Sequence, residues 1–252
     1  MKTVIYTTLC GNYDTLQQPL YIKDNYDYIC YSDDIPKNEI GVWQIRKIPY
    51  QTEDKPRLSR YPKMHPHILL EEYDYSVYMD ANVQIINESF YKLIEDKIAV
   101  GTKLAGVRHP FRDCVYDEGY VVFTYGLEKS MLMLVRQMRF LKKEGFPRHF
   151  GMYEANIILR NHHDSAVQKQ CELWWTLINK YSRRDQLSYS YTLWKLGLQF
   201  NYLLPENTSA RTFLGVHLFA HIREKNIWGK KLRHIGKFLY KKNDRDLLRA
   251  LL

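Results

Sequence analysis

The stretch Tyr75-Ser-Val-Tyr-Met-Asp-Ala-Asn-Val-Gln-Ile85 decides how this chain reads. Its first five residues suit a strand and deliver an acidic side chain, Asp80, to the strand's end. Asn82 follows two residues on, and residues two apart on a strand face the same side. Mg²⁺ and Mn²⁺ prefer oxygen ligands and commonly combine one or two carboxylates with substrate phosphates. A strand ending on Asp-x-Asn therefore has the parts to hold a hard divalent cation against a diphosphate. The competing reading is a plain strand end in which Asp80 accepts turn hydrogen bonds.

Strand and helix patterns alternate on both sides of this stretch. Residues 3–9, 26–32 and 42–46 read as strands, with turn chemistry at Gly11-Asn12-Tyr13-Asp14 and Asp33-Asp34-Ile35-Pro36 closing the first two. Residues 54–73 read as helix, and Pro62 and Pro66 split it into short pieces or kink it. Further on, helices are predicted over 88–97, 126–144, 164–180 and 184–196. Strands are predicted over 105–109, 151–159 and 200–204, and residues 109–116 read as a loop. The alternation predicts an α/β domain with a largely parallel sheet flanked by helices.

Composition narrows the class. With 45% hydrophobic and 26% charged residues, the chain fits an ordinary globular protein. No apolar run reaches the roughly 20 residues of a membrane span. The four cysteines lack a Cys-x-x-Cys spacing and fit reduced thiols in a cytoplasmic protein. There are 21 tyrosines against 10 phenylalanines, so many tyrosines must fill half-wet cores unless they stack on ligands. The net charge of +9 is uneven: from Arg223 to Arg249, ten Lys or Arg face three acids. Such a segment suits anionic lipid, nucleic acid or water.

Several groups could join Asp80. Ligands of open α/β sheets bind outside the carboxyl ends of strands, where Asp33 and Asp34 could accept from a base or ribose. The alternative for both is a turn or helix cap. Arg57 and Arg60 are three apart on a helix face, and with Lys63 they could neutralise a diphosphate. Glu154 and Asn156 precede an apolar run and could bond a sugar. Asp185, flanked by Arg183 and Arg184, is either an N-cap or a carboxylate facing a reacting sugar. His217 and His221 are each a candidate third metal ligand, against the plainer reading of packed histidines. His65 and His67 lack the setting of a zinc site and suit packing or ligand contact. No Gly-x-Ser-x-Gly, P-loop or Cys–His pairing competes.

Taken in order, Tyr31-Ser-Asp-Asp34, Arg57 through Lys63, Tyr78-Met-Asp-Ala-Asn82, Glu154-Ala-Asn156, Arg184-Asp-Gln186 and His221 resemble a glycosyltransferase of the GT-A superfamily. Lys63-Met-His-Pro-His67 followed by Tyr75-Ser-Val-Tyr-Met-Asp80 resembles, more narrowly, a family of hexosyltransferases shared by bacteria and plants. The likeness covers roughly residues 1–222. It implies a Rossmann-like nucleotide-binding half within a single GT-A domain, a nucleotide-sugar donor such as a UDP-hexose, and Mn²⁺ or Mg²⁺. It makes Asp80 the metal ligand, Asn82 its companion where the usual motif has a second Asp, and His221 a late third ligand. Asn82 can coordinate through its carbonyl oxygen but adds no charge.

The implied chemistry is attack by an acceptor hydroxyl on the anomeric carbon, with cations stabilising the leaving diphosphate. Asp185 is the first candidate for a base and Glu154 the second. The acceptor would be a glycan or a lipid-linked sugar in surface polysaccharide or glycoconjugate assembly. Two other readings stand beside this one: a sugar-binding relative without turnover, and a nucleic-acid-binding protein using the basic segment. The second is disfavoured, because the charge lies apart from most tyrosines and no DNA or RNA motif is present. Leu232, Ile235, Phe238 and Leu239 recur at helical spacing among the cations of 223–252. This basic tail suits a peripheral amphipathic helix at the inner face of an anionic membrane, or a helix packed on the domain with a solvated face.

Overall fold

The first strand, β1 (Thr3–Leu9), is buried along its whole length, and its side chains alternate between two cores. Ile5 and Leu9 join one core, Val4 and Tyr6 the other. A strand covered on both faces belongs in the middle of a sheet, and β1 does: it pairs in parallel with β2 (Tyr26–Ser32) and β5 (Tyr75–Met79). The computed structural model describes residues 1–221. The expected boundary at 222 and the basic tail over 223–252 lie outside the described residues.

Beyond β2 come β4 (Trp43–Arg46), parallel to it, and the short edge strand β3 (Glu39–Ile40). On the other side, β5 pairs antiparallel with β8 (Tyr153–Arg160). β8 in turn pairs antiparallel with β7 (Leu104–Arg108), which carries the parallel strand β9 (Asn201–Tyr202). The order is β3-β4-β2-β1-β5-β8-β7-β9. The sheet is largely parallel as expected, with β8 inserted in the opposite direction. A separate ribbon joins β6 (Val83–Ile85) to β10 (Val216–Leu218), antiparallel.

Helix α1 (Lys55–Met64) and the single turn α2 (Pro66–Leu69) confirm the proline-split helix, with His65 at the junction. Helix α3 (Ser89–Ala99) covers one face of the sheet through Phe90 and Ile94. On the other face lie α6 (Ser165–Lys180), through Trp174 and Ile178, and α7 (Gln186–Lys195), through Tyr189 and Leu193. A third core forms where α4 (Val115–Thr124) and α5 (Met131–Lys143) meet α7. The tyrosine excess goes largely into these cores: Tyr6, Tyr28, Tyr31, Tyr78, Tyr91 and Tyr189 are all buried.

Two sequence expectations change, and one strand carried no expectation. Helix α4 occupies residues that read as loop or carried no pattern, because Val, Tyr and Gly119 are poor helix formers whose helicity comes from packing. The long helix expected from 126 starts only at Met131, where the Ser130 hydroxyl accepts from the Met133 amide at 3.3 Å. Strand β10, three residues long, carries no alternation long enough to read. No described helix is long and apolar enough to cross a membrane, and all four cysteines are buried free thiols.

Candidate functional site

Because β1, β2 and β5 run in parallel, their carboxyl ends open on the same edge of the sheet. Asp80 leaves β5 there. Its amide donates to the Asn156 carbonyl of the neighbouring β8 at 2.9 Å, and its own carbonyl accepts from the Val83 amide at 2.9 Å. Asp80, Ala81 and Asn82 therefore form a turn between β5 and β6, and the alternation rule that put Asp80 and Asn82 on one strand face does not apply to them. Asn82 is instead stitched to the end of β10. Its Nδ2 donates to the Phe219 carbonyl at 2.7 Å, while the Phe219 amide donates to the Asn82 carbonyl at 2.9 Å. Its buried Oδ1 has no partner among the described residues.

Lys63 lies at the centre of the site. It sits in the last turn of α1, only 3% exposed, with Nζ 2.5 Å from Asp185 Oδ2 and 3.6 Å from Asp80 Oδ1. The Tyr78 ring lies 4.7 Å below it, and the Tyr78 hydroxyl donates to Asp80 Oδ1 at 2.9 Å. Arg60, one turn earlier, brings Nε to 3.9 Å from Asp185 Oδ2. Beneath them Arg160 is fully buried, donating from Nη1 to the Lys63 carbonyl at 2.9 Å and the Tyr6 hydroxyl at 3.1 Å. Its Nε and Nη2 have no partner among the described residues.

Asp185 combines both of its sequence readings. Its Oδ1 accepts from the Gln186 amide at 3.1 Å as the cap of α7, while its Oδ2 faces the cations. Burial by itself would raise its pKa. The charges of Lys63, Arg60 and Arg184 outweigh burial and hold the carboxyl well below the usual carboxylate range. On the other side of Asp80, Asn156 Nδ2 donates to Glu154 Oε2 at 3.2 Å, and Glu154 Oε1 is paired with Arg211. Asn156 Oδ1 is buried with no partner among the described residues.

The other expected residues fall in four places. Asp33 and Asp34 sit at the carboxyl end of β2, as expected. Asp33 pairs with Lys55, and Asp34 Oδ2 accepts from the Asn12 amide at 3.0 Å. Burial raises the Asp33 carboxyl, but Lys55 and Cys10 beside it bring it below its ordinary range. Arg57 turns away from Lys63 and Asp80. It pairs with Asp54 and reaches the Ile178 and Tyr181 carbonyls, each at 3.3 Å, so it clamps α1 to the end of α6. His221 lies against the loop after β1, its Nδ1 2.9 Å from Asp14 Oδ2 and its ring 5.1 Å from that of Tyr13. His65 stacks on Tyr61 at 4.1 Å and His67 meets Glu172 at 2.8 Å, both packing roles.

Sequence reasoning missed Tyr78, Arg160, Arg211 and Asp14 as parts of this site. Tyr78 was visible as the residue two before Asp80. Arg211 had no signal, because it sits in an irregular loop and reaches Glu154 only through the fold.

The family profile of the TOD1/MUCI70 glycosyltransferase-like domain matches residues 1–221. The chain belongs to this family. Residues 1–221 are its glycosyltransferase-like domain, in an α/β architecture. No curated protein matches the sequence significantly. Among solved structures, the chain is similar to one titled as the apo structure of the bifunctional glycosyltransferase WbbM, with 13% identity and a TM-score of 0.45. The match covers 81% of this chain and 38% of that one.

Proposed function

We propose that this glycosyltransferase moves a hexose from a nucleoside-diphosphate sugar, of the UDP class, to a glycan or lipid-linked acceptor in surface polysaccharide or glycoconjugate assembly. The observation that carries the reading is Lys63, a buried ammonium held between Asp80 and Asp185. With Arg60 and Arg184 beside it, it forms a cationic floor suited to charge growing on a leaving diphosphate. Asp33 and Asp34 are in reach of a base or ribose at the same sheet edge.

The two candidate carboxylates divide the remaining work. Asp185 is too strongly stabilised as an anion to take a proton readily, so its role is to hold Lys63 and oppose the positive charge that builds on the anomeric carbon. Glu154, held by Asn156 and Arg211, is the group to receive the acceptor proton. The three candidate donors have the chemistry of a divalent-cation site: the Asp80 carboxylate, the Asn82 amide oxygen without a hydrogen-bond partner among the described residues, and the His221 imidazole oriented by Asp14. Asp80, Asn82 and His221 would hold Mn²⁺ or Mg²⁺, which would supply Lewis-acid stabilisation of the diphosphate.

UDP binding and donor hydrolysis, with and without Mn²⁺, test this reading. Binding and turnover by the wild type are expected, and both should fall in Asp80→Ala. Absence of UDP binding, or an Asp80→Ala variant that behaves as wild type, overturns it. The ten cations beyond residue 222 are proposed to meet anionic lipid at the inner face of a membrane, where lipid-linked acceptors lie. Co-sedimentation with anionic liposomes should be lost in a chain ending at 222.

A further inference from the structure

Beside Glu154 the fold leaves an open cleft of about 560 Å³ between the loop after β7 and residues 207–212. Its walls include Arg108, His109, Phe111, Ser209 and Thr212. It is linked to Glu154 through the chain on both walls. Arg211, between Ser209 and Thr212, carries the ion pair to Glu154, and Val107 of β7 is the register partner of Glu154 on β8. Glu154 thus stands between the Asp80 turn and the cleft.

The cleft offers a defined set of contacts. Arg108 is exposed at the end of β7, and its guanidinium makes no hydrogen bond or ion pair within contact distance among the described residues, the charge near it being Asp113 of the same lining. Phe111 is 74% exposed, a bare aromatic face beside a polar wall. His109 Nδ1 accepts from the Phe111 and Arg112 amides at 3.2 and 3.0 Å, and its Nε2 lies 3.5 Å from Arg112 Nη2, so the buried ring is taken up within its own loop. Burial, reinforced by Arg112 and Arg211, lowers the His109 pKa to about 4 and keeps the ring neutral. Arg112 is committed to Glu118, and the acid in the lining, Asp113, is engaged by His149 at 2.9 Å. The hydroxyls of Ser209 and Thr212 serve the local turn.

An exposed guanidinium and an exposed aromatic ring on one wall together match a sugar that carries an anionic group. The ring covers the apolar face of a pyranose, and the guanidinium forks a carboxylate or phosphate. We infer that this cleft is the acceptor subsite and that it selects an anionic acceptor, a saccharide bearing a carboxylate or a phosphate. The word acceptor rests on the transferase reading above, but the binding preference does not.

The test is calorimetric titration of the full chain with two matched pairs of probes. Digalacturonic acid is compared with its methyl ester, and glucose 6-phosphate with glucose. At least one anionic probe should bind on the order of tenfold more tightly than its neutral partner, as expected for a charge-assisted contact. The pair that shows the preference identifies the anion. Arg108→Gln should abolish the preference and Arg108→Lys should retain part of it. Phe111→Ala should weaken charged and neutral probes alike. No preference in either pair, or a preference that survives Arg108→Gln, overturns the inference. UDP titrated into the wild type separates the two readings. UDP binding without anion preference removes only the cleft inference, and anion preference without UDP binding removes only the transferase reading of the Asp80 site.

Discussion

Lys63 and Asp185 depend on each other, since each is a charge taken out of water. Removing one partner of a buried pair is far more damaging than replacing both. Lys63→Met is therefore expected to lower stability by about 3–5 kcal/mol and, where folded, to lower turnover about 10²–10³-fold. Urea denaturation and donor-hydrolysis rates measure the two effects. The pH dependence of this pair has a definite sign. The folded Asp185 carboxyl is held below its unfolded value, so its stabilisation is present above the ordinary carboxylate range and lost as pH falls through the folded value. His162 acts higher on the scale. It is fully buried, with Nε2 2.9 Å from the Leu70 carbonyl and Nδ1 3.1 Å from the Ser76 hydroxyl. Burial lowers its pKa from 6.5 to about 4. Between those values the unfolded chain binds a proton that the folded chain refuses, so stability falls as pH drops from 6.5 to about 4. His109 adds to the same window. Urea midpoints across this range should show the slope, and His162→Gln should flatten it.

At the level of elements, the turn after β5 is held by its amide contact with β8 and by Asn82 to the end of β10. This explains why Asn82 stands where a second carboxylate is usual. A carboxylate cannot donate to the Phe219 carbonyl and would face it at close range. Asn82→Asp is expected to cost about 1–3 kcal/mol, read as a lower thermal midpoint, even if Mn²⁺ binds it more tightly. Helix α4 offers a second test. A Cβ on Gly119 would lie 2.7 Å from Met138 Sδ, so Gly119→Ala should destabilise by about 1 kcal/mol. Met138→Ala in the same chain should relieve that clash, giving a non-additive pair. These elements also mark how far the sequence could be read. Strands β1, β2 and β5 announce themselves because both faces are apolar, and the carboxylates at their ends follow from that. Helix α4 and strand β10 do not, because packing on α5 and α7, and pairing with β6, create them. Asp80, Lys63, Asp185 and Glu154 were legible as chemistry. Arg57 was misread because helical spacing cannot say which neighbour a long side chain will reach.

For the molecule as a whole, the sheet gathers its charges at one edge and the cores hold them there. Four cations, Lys63, Arg60, Arg160 and Arg184, surround two anions, Asp80 and Asp185. A bound diphosphate would balance the set. UDP should therefore stabilise the fold by about 2.7 kcal/mol at a hundredfold excess over Kd, read as a thermal midpoint that rises with UDP concentration. Arg160 gives this balance a further meaning. It is a cation sealed in the core, and among the described residues no carboxylate pairs with it and two of its nitrogens have no hydrogen-bond partner. Its desolvation is borne at folding, before any substrate arrives, so the ligand meets a field already in place instead of one that must be assembled. The ligand-free protein is correspondingly less stable than its packing would allow. Arg160→Met should melt at or above the wild-type temperature yet bind UDP more weakly, exchanging preorganisation for robustness.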